Sequence, residues 1–351
     1  MNLFPKHIVL NGREVSVANY VNTSHKEQLE RELSQFLKEW YDGEDFIEVK
    51  TSGSTGSPKT IRLSKNFVAE SAQRTIDFFQ LKFGDKVLLC LPIKFIAGKL
   101  MVVRALLGNL DLFMVEPGTD FSFLNKKKFH FAALVPLQMS KILTGEPSPG
   151  AWTQNIEQIL LGGSAIPPTL EKRLQQVAAS CYSSYAMTET ATHIALRKLN
   201  GKSAGEFYRC LENIHVSVSE DGHLQIFMPG LPEQPLQTND LAEIKDEKHF
   251  RILGRSDNVI ISGGVKFYPE QIERKLEPFI AQQFVIASKP HGTLGQQIIL
   301  AIEGEDDAEQ KENLTEICRR ELSKFEQPKE IIFVREIPLV EGGKPDRNFK
   351  L

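Results

Sequence analysis

The sequence predicts an α/β fold: a large N-terminal α/β domain with parallel-type sheets and a β-rich subdomain, then a small C-terminal α+β domain. Three observations predict it. Up to residue 204, short apolar runs alternate with segments of helical period, the pattern of a mostly parallel sheet with covering helices. After residue 204 the pattern shifts to hairpins, and from residue 269 helices and strands mix again. With 351 residues, 41% of them hydrophobic and 25% charged, the chain can bury a large core without disulfides or structural metal.

The elements follow in chain order. Residues 25–41 place Leu29, Leu33, Phe36, Leu37 and Trp40 at helical spacing, with Ser24 as the expected N-cap. Residues 46–50 alternate like a strand and run into a small-residue loop at 51–58, after which a helix is expected from about Ser64 to Phe79. Residues 87–91, 111–115, 131–135 and 156–161 read as buried strands, and 98–108 as a helix. Residues 214–228 and 242–253 read as antiparallel hairpins, the first turning at Asp221-Gly222. Helices are expected at 269–277 and 308–324, and strands at 284–288, 297–302 and 330–335. The boundary is placed near residues 255–258, giving domains 1–255 and 256–351. No internal repeat or low-complexity tract is evident.

Charge and cysteine usage narrow the function classes. Forty-two basic against 45 acidic side chains leave a net charge of −3, which argues against a general electrostatic grip on nucleic acid. The basic run Lys126–Lys128 and the acidic stretch 303–312 read as solvated surface, and Lys50, Lys65 and Lys86 as surface lysines. Cys90, Cys181, Cys210 and Cys318 are far apart in sequence, so no CxxC metal or redox motif exists; each reads as a small apolar filler. Scattered thiols, no long apolar N-terminal segment and no membrane-length apolar run together predict a cytoplasmic protein with no membrane insertion.

The most informative stretch is Thr51-Ser52-Gly53-Ser54-Thr55-Gly56-Ser57-Pro58-Lys59-Thr60. Glycines let the backbone approach a ligand, hydroxyls and N–H groups converge on an anion, and Lys59 adds charge, so a loop of this kind after a strand suits phosphate. Gly53, Lys59 and Thr60 fit the Walker A spacing, but Pro58 stands where the second glycine belongs and carries no N–H. A flexible Ser/Gly connector is the plain alternative.

Residues 51–59 resemble throughout the phosphate-binding signature of the adenylate-forming superfamily, which includes acyl- and aryl-CoA synthetases, luciferases and peptide-synthetase adenylation domains. Further signatures follow in the family's order. Leu161-Gly162-Gly163-Ser164 resembles the turn beside the adenine, and Tyr185-Ala186-Met187-Thr188-Glu189 resembles Y-G-x-T-E with Ala186 for Gly. Thr238-Asn239-Asp240 resembles T-G-D. Gly254-Arg255-Ser256-Asp257, with Gly263-Gly264 and 269–273, resembles the hinge signature; residues 343–347 resemble the terminal G-K-x-x-R.

The resemblance implies an N-terminally shortened adenylate-forming fold with a mobile C-terminal domain, and an AMP-forming acid–thiol ligase. It implies ATP, Mg²⁺ and CoA as cofactor and co-substrates. Thr51, Ser52, Gly53, Ser54, Thr55, Gly56 and Lys59 would hold the β- and γ-phosphates. Gly162, Gly163 and Ser164 would flank the adenine and Tyr185 would stack on it. Thr188 would donate to the α-phosphate and Glu189 would bind Mg²⁺. Asp240 and Arg255 would hold the ribose, and Lys344 would bridge the carboxylate and the α-phosphate. Asp257 would be the hinge, and Gly263-Gly264 would approach the acyl-adenylate when the thiol attacks. In isolation Asp240 reads as a turn residue, Glu189 as a solvated helix residue and Lys344 as a tail lysine; the ordered set reverses that reading.

Two stretches bear on the acid. Residues 188–194 look like the T-E-T-A-S-x-I run of o-succinylbenzoate–CoA ligases, the menaquinone-pathway enzymes, and Gly98 to Arg104 sits where those ligases carry a Gly followed by a helix containing Arg. That substrate has a second carboxylate, which a guanidinium fork suits. Arg104 is the candidate for it, against a surface Arg on an amphipathic helix; His193 is a candidate contact, against a satisfied wall residue. Phe95 replaces the His that many acyl-CoA synthetases carry after their L-P motif, and is expected to wall the acyl pocket. Fifty residues precede the phosphate loop, fewer than is usual in the family. The alternatives are a ligase for another aryl or acyl acid and a nucleotide-binding regulator without catalysis. A homodimer is compatible with all of them.

Overall fold

The structure, a computed structural model, describes residues 3–50, 60–121, 124, 126–145, 151–338 and 347. The chain opens with β1 (His7–Leu10), β2 (Arg13–Ser16), α1 (Val17–Val21) and α2 (Gln28–Trp40). Then come β3 (Phe46–Lys50), β4 (Thr60–Ser64), α3 (Lys65–Phe79), β5 (Lys86–Leu89), α4 (Ile96–Gly108) and β6 (Asp111–Met114). β7 (Phe129–Leu134), α5 (Pro136–Thr144), β8 (Ile156–Leu161), α6 (Pro168–Leu174) and β9 (Ser180–Ala186) follow. The β-rich part holds β10 (His193–Lys198), β11 (Tyr208–Cys210), β12 (His215–Val218), β13 (His223–Phe227), β14 (Leu236–Asp246) and β15 (His249–Arg255). The last part holds β16 (Ile260–Ser262), β17 (Val265–Phe267), α7 (Pro269–Leu276), β18 (Phe284–His291), β19 (Gly295–Glu303), α8 (Ala308–Glu321) and β20 (Glu330–Val334).

Among the described residues, one long sheet runs β12-β13-β14-β15-β11-β10-β9-β8-β7-β5-β6-β1-β2. Its β1, β6, β5, β7, β8 and β9 are parallel; from β9 onward every pairing is antiparallel. β5, β7 and the Ile159–Leu161 end of β8 are near-continuous apolar runs because both faces are covered there. Val87, Leu89, Phe131 and Leu160 point into one core, and Leu88, Ala132, Ile159 and Leu161 into the other. A five-stranded sheet of β16 to β20 begins beyond Arg255, with its own core of Ile260, Ile272, Leu276, Ile286, Leu300 and Leu314. The two parts touch where Arg274 on α7 meets Glu171 on α6 (2.6 Å) and Glu277 accepts from Thr169.

Most expected elements are present, and the differences have local causes. α2 starts at Gln28 rather than at residue 25, and Ser24 does not cap it. The Leu29 N–H donates instead to Glu116 Oε1 at 2.9 Å, so a remote carboxylate satisfies the helix start. β4 was not expected from the sequence; it pairs antiparallel with β3 from Phe46↔Ser64 to Lys50↔Thr60. Residues 51–59, the phosphate-loop signature, lie outside the described residues, as does Lys344. Ser64 caps α3, accepting from Phe67 N. Lys65 is a correction: it is 2% exposed, ion-paired to Asp42 at 2.7 Å and donating to the Glu44 carbonyl. Glu189 lies in a turn, not on a helix. All four cysteines are buried and unbridged, and burial pushes the thiols of Cys181 and Cys210 up to about 12, which leaves them inert.

Candidate active site

The predicted nucleotide residues gather at the carboxyl ends of two adjacent parallel strands. Gly162, Gly163 and Ser164 follow β8, and Thr188 and Glu189 follow β9, with Leu161 and Ser183 in register. β9 is also where the sheet changes from parallel to antiparallel, so these strand ends border both parts of the sheet. Gly162 donates its N–H to Leu134 O at 3.1 Å, and a Cβ there would stand 2.5 Å from Ser184 Oγ.

The turn after β9 is tied by a residue that the sequence reading passed over. Thr190 is fully buried; its hydroxyl donates to the nearer carbonyl, Thr192 O at 2.7 Å, and accepts from Met187 N, with Met187 O also 3.1 Å away. Ala191 holds a φ of 63°, and its N–H bonds Thr188 O, which closes the turn. This leaves Thr188 half-buried and Glu189 exposed. Among the described residues no side chain pairs with the Glu189 carboxylate. A free carboxylate oxygen beside a turn expected to meet phosphate suits a hard cation, so the donor chemistry fits Mg²⁺ completed by nucleotide oxygens.

Across the site, Asp240 and Arg255 are register partners on β14 and β15. Asp240 accepts from the Tyr185 hydroxyl at 2.6 Å, its N–H donates to Thr238 Oγ1 at 3.1 Å, and Arg255 lies 3.6 Å away. Arg255 also pairs with Asp257 at 2.8 Å. Burial works against the Arg255 charge, but the hydrogen bond to Asp257 and the Asp240 field outweigh it and hold the guanidinium above its usual value. Burial, then the Asp240 charge, pushes the Tyr185 phenol well above its ordinary value, so it remains a donor. Tyr185 is 9% exposed and packs at right angles to Phe250 at 5.2 Å. Its hydroxyl orients Asp240.

Gly263 and Gly264 form the two-residue turn between β16 and β17, with φ of 58° and 81°, as a tight hairpin demands. Asp257 lies in the 3₁₀ turn Ser256–Asn258 that links the two sheets.

The expected acid-binding residues separate. α4 is buried on nearly all sides, so Arg104 is not a surface residue of an amphipathic helix; it is 2% exposed. Its Nη1 donates only to Met101 Sδ at 3.4 Å, its Nε has no partner, and no carboxylate among the described residues pairs with it. Burial pulls its pKa down to about 9. His193 is also 2% exposed. The Thr75 hydroxyl donates to Ser71 O at 3.2 Å, so it accepts from His193 Nε2 at 3.3 Å; Nδ1 then accepts from Thr192 Oγ1 at 3.2 Å. Burial, then the Arg104 charge, pushes its pKa well below 6.5. His193 is thus neutral with both nitrogens occupied, which is the wall-residue reading. Phe95 does not join this cluster: it is 56% exposed at the N-cap of α4, with Lys94 Nζ 5.2 Å from its ring. The extended N-cap backbone turns the chain there, and Gly98 packs so closely on Pro92 that a Cβ would stand 2.3 Å from its carbonyl oxygen.

A family model described as "AMP-binding enzyme" matches residues 21–231. The chain belongs to the AMP-binding enzyme family. Its class is that of AMP-forming acid–CoA ligases, which use ATP, Mg²⁺ and CoA. A solved acyl-CoA synthetase (AMP-forming)/AMP-acid ligase II-like protein from Dyadobacter fermentans is 33% identical, with a TM-score of 0.64 over 95% of this chain and 97% of that one. The 2-succinylbenzoate–CoA ligase of Listeria monocytogenes is 24% identical over 96% of this chain and 75% of its own length. The o-succinylbenzoate coenzyme A synthetase of Bacillus subtilis, solved with ATP and magnesium ion, is 20% identical with a TM-score of 0.72, covering 86% of this chain and 68% of that one. These likenesses show the adenylate-forming fold. No helix among the described residues is long and apolar enough to cross a membrane.

Proposed function

We propose that this family member activates o-succinylbenzoate as an acyl-adenylate and transfers the acyl group to CoA, in the cytoplasm. In the first step a carboxylate oxygen attacks the α-phosphorus of ATP, the α–β phosphoanhydride bond breaks and pyrophosphate leaves. In the second the CoA thiol attacks the acyl carbon, AMP leaves and the thiol proton is lost. Charge on the phosphates is stabilised by preorganised donors, so positioning dominates. In this reading residues 51–59 hold the outer phosphates, Thr188 donates to the α-phosphate, and Glu189 holds Mg²⁺ with the nucleotide. Asp240, oriented by Tyr185 and Arg255, accepts from the ribose hydroxyls. Lys344 meets the carboxylate and the α-phosphate, Asp257 is the pivot, and Gly263-Gly264 lines the thiol's approach.

The observation that carries the choice of acid is Arg104. A buried guanidinium with no carboxylate partner among the described residues costs the apo protein several kcal/mol in order of magnitude. A substrate with a second carboxylate supplies the missing partner. Beside it, His193 stays neutral and adds no competing charge. The name of the Listeria monocytogenes relative agrees with this acid, whereas an indoleacetate–CoA ligase is also among the relatives.

The test is pyrophosphate release from Mg·ATP with o-succinylbenzoate against a panel of benzoates and fatty acids, with and without CoA. Release confined to o-succinylbenzoate, with a CoA thioester seen by mass, is the expected result. Release with a monocarboxylate instead would keep the ligase chemistry and reject this acid; no release with any acid would reject catalysis.

A further inference from the structure

The geometry points to Arg347 as a positioning residue that tethers the chain around Lys344 to the small domain. The inference rests on the catalytic role proposed for Lys344. Arg347 reaches from the C-terminal end into the seam between α7 and β18. Its Nη2 donates to Glu273 Oε2 at 2.7 Å and its Nη1 to Glu273 Oε1, so the fork grips the carboxylate at two points. Nη1 also donates to Ile286 O at 2.9 Å, and Glu273 Oε1 accepts from Ile286 N at 2.7 Å. The pair therefore satisfies both backbone groups of a fully buried residue in the small domain's core strand. The Arg347 side chain is 15% exposed and that of Glu273 21%. Glu270, one turn earlier on α7, adds a second carboxylate 3.8 Å from Nη2.

Lys344 precedes Arg347 by three residues, a chain reach of at most about 11 Å. A grip at Arg347 therefore sets an anchor on the small domain within that reach of Lys344. Small misplacements of a charge-stabilising group cost of order a hundredfold in rate.

The test compares wild type, R347A, R347K, E273Q and K344A in two assays: adenylate formation from acid and ATP, and thiolation of preformed acyl-AMP by CoA. R347A is expected to lose about a hundredfold in kcat for adenylation, with little change in KM for ATP, and to keep thiolation. R347K, still tethered but without the fork, should fall between, and E273Q should show a milder form of the same split. Millimolar guanidinium added to R347A should refill the seam and raise its melting temperature without restoring adenylation, because the added cation is not bonded to the chain. Restoration of both would make Arg347 merely structural and overturn the tether, as would full adenylation by R347A. If R347A loses both half-reactions by unfolding, E273Q decides: equal loss in both assays overturns the proposal. K344A separates the two levels. Normal adenylation by K344A rejects the role of Lys344 itself, whereas loss in K344A with full activity in R347A rejects the tether alone.

Discussion

Asp240 and Arg255 face each other across the β14–β15 ladder, yet the aspartate's short contact, 2.6 Å, is to the Tyr185 hydroxyl on β9, while Arg255 stands at 3.6 Å and turns its other nitrogen to Asp257. Three strands of one sheet thus fix this carboxylate. Arg255 links that carboxylate to the 3₁₀ turn between the sheets, so the proposed ribose site and the proposed hinge share one guanidinium.

A first prediction follows for Tyr185. Y185F removes the donor to Asp240 and leaves the ring packing against Phe250 in place. A hydrogen bond to a charged group contributes about 1.5–3 kcal/mol, so KM for ATP should rise roughly tenfold or more. KM for the acid and the melting temperature should change little. Steady-state kinetics with each substrate varied separately checks this. An effect confined to kcat would mean that Tyr185 acts elsewhere.

Arg104 should show a trade between stability and activity. R104M keeps the aliphatic volume of a site buried in apolar helix packing and removes a desolvated charge without a described carboxylate partner. Relief of that burial should stabilise the free protein by about 1–3 kcal/mol. The same change should raise KM for o-succinylbenzoate at least about a hundredfold, since a buried charge pair is lost in the complex. Thermal denaturation and kinetics on one preparation read both arms; a destabilised variant with normal acid KM would show that Arg104 serves packing alone.

The pH dependence of stability should carry a His193 component. In the folded chain, burial and Arg104 hold the imidazole far below 6.5; in the unfolded chain it titrates near that value. Below 6.5 the unfolded state therefore binds the extra proton. The His193 contribution is fully present above that pH and is lost as pH falls. Between pH 7.5 and 5.5 the melting temperature of wild type should drop more steeply than that of H193N. Parallel curves for the two proteins would contradict a buried neutral imidazole.

The parts of this molecule that the sequence displays are those set by local pattern. Ile159, Leu160 and Leu161 run apolar because that end of β8 is covered on both faces, and Asp221-Gly222 turns the β12–β13 hairpin with Gly222 at a φ of 86°. What the sequence hides depends on partners far along the chain. Ser24 has cap chemistry, but Glu116 takes the helix N–H from 87 residues away. Lys65 looks like any surface lysine until Asp42 is folded over it. His193 has the chemistry of a substrate contact until Thr75, 118 residues earlier, occupies its Nε2. Signature matching found Asp240 and Tyr185 but could not assign the hydroxyl between them, because ring orientation is decided by packing against Phe250.

The last prediction concerns Gly162. It ends β8 at the predicted adenine turn, and its missing side chain is a matter of space: a Cβ would stand 2.5 Å from Ser184 Oγ and 3.8 Å from Ser184 Cβ. Ser184 cannot rotate away freely, because its hydroxyl donates to Leu161 O at 3.1 Å, one residue before the glycine. G162A should therefore break that bond or push β8 and β9 apart, at a cost of about 1–3 kcal/mol. The shift would fall on the backbone that presents residues 162–164, so KM for ATP should rise with the loss of stability. S184A removes the offending oxygen and leaves its Cβ at ordinary contact distance. In the double variant G162A/S184A the clash is gone and only one hydrogen bond is missing, so stability should return to that of S184A alone and KM for ATP should recover with it. A double-mutant cycle on both quantities reads the coupling directly. Additive losses would place the strain somewhere other than the Gly162–Ser184 contact.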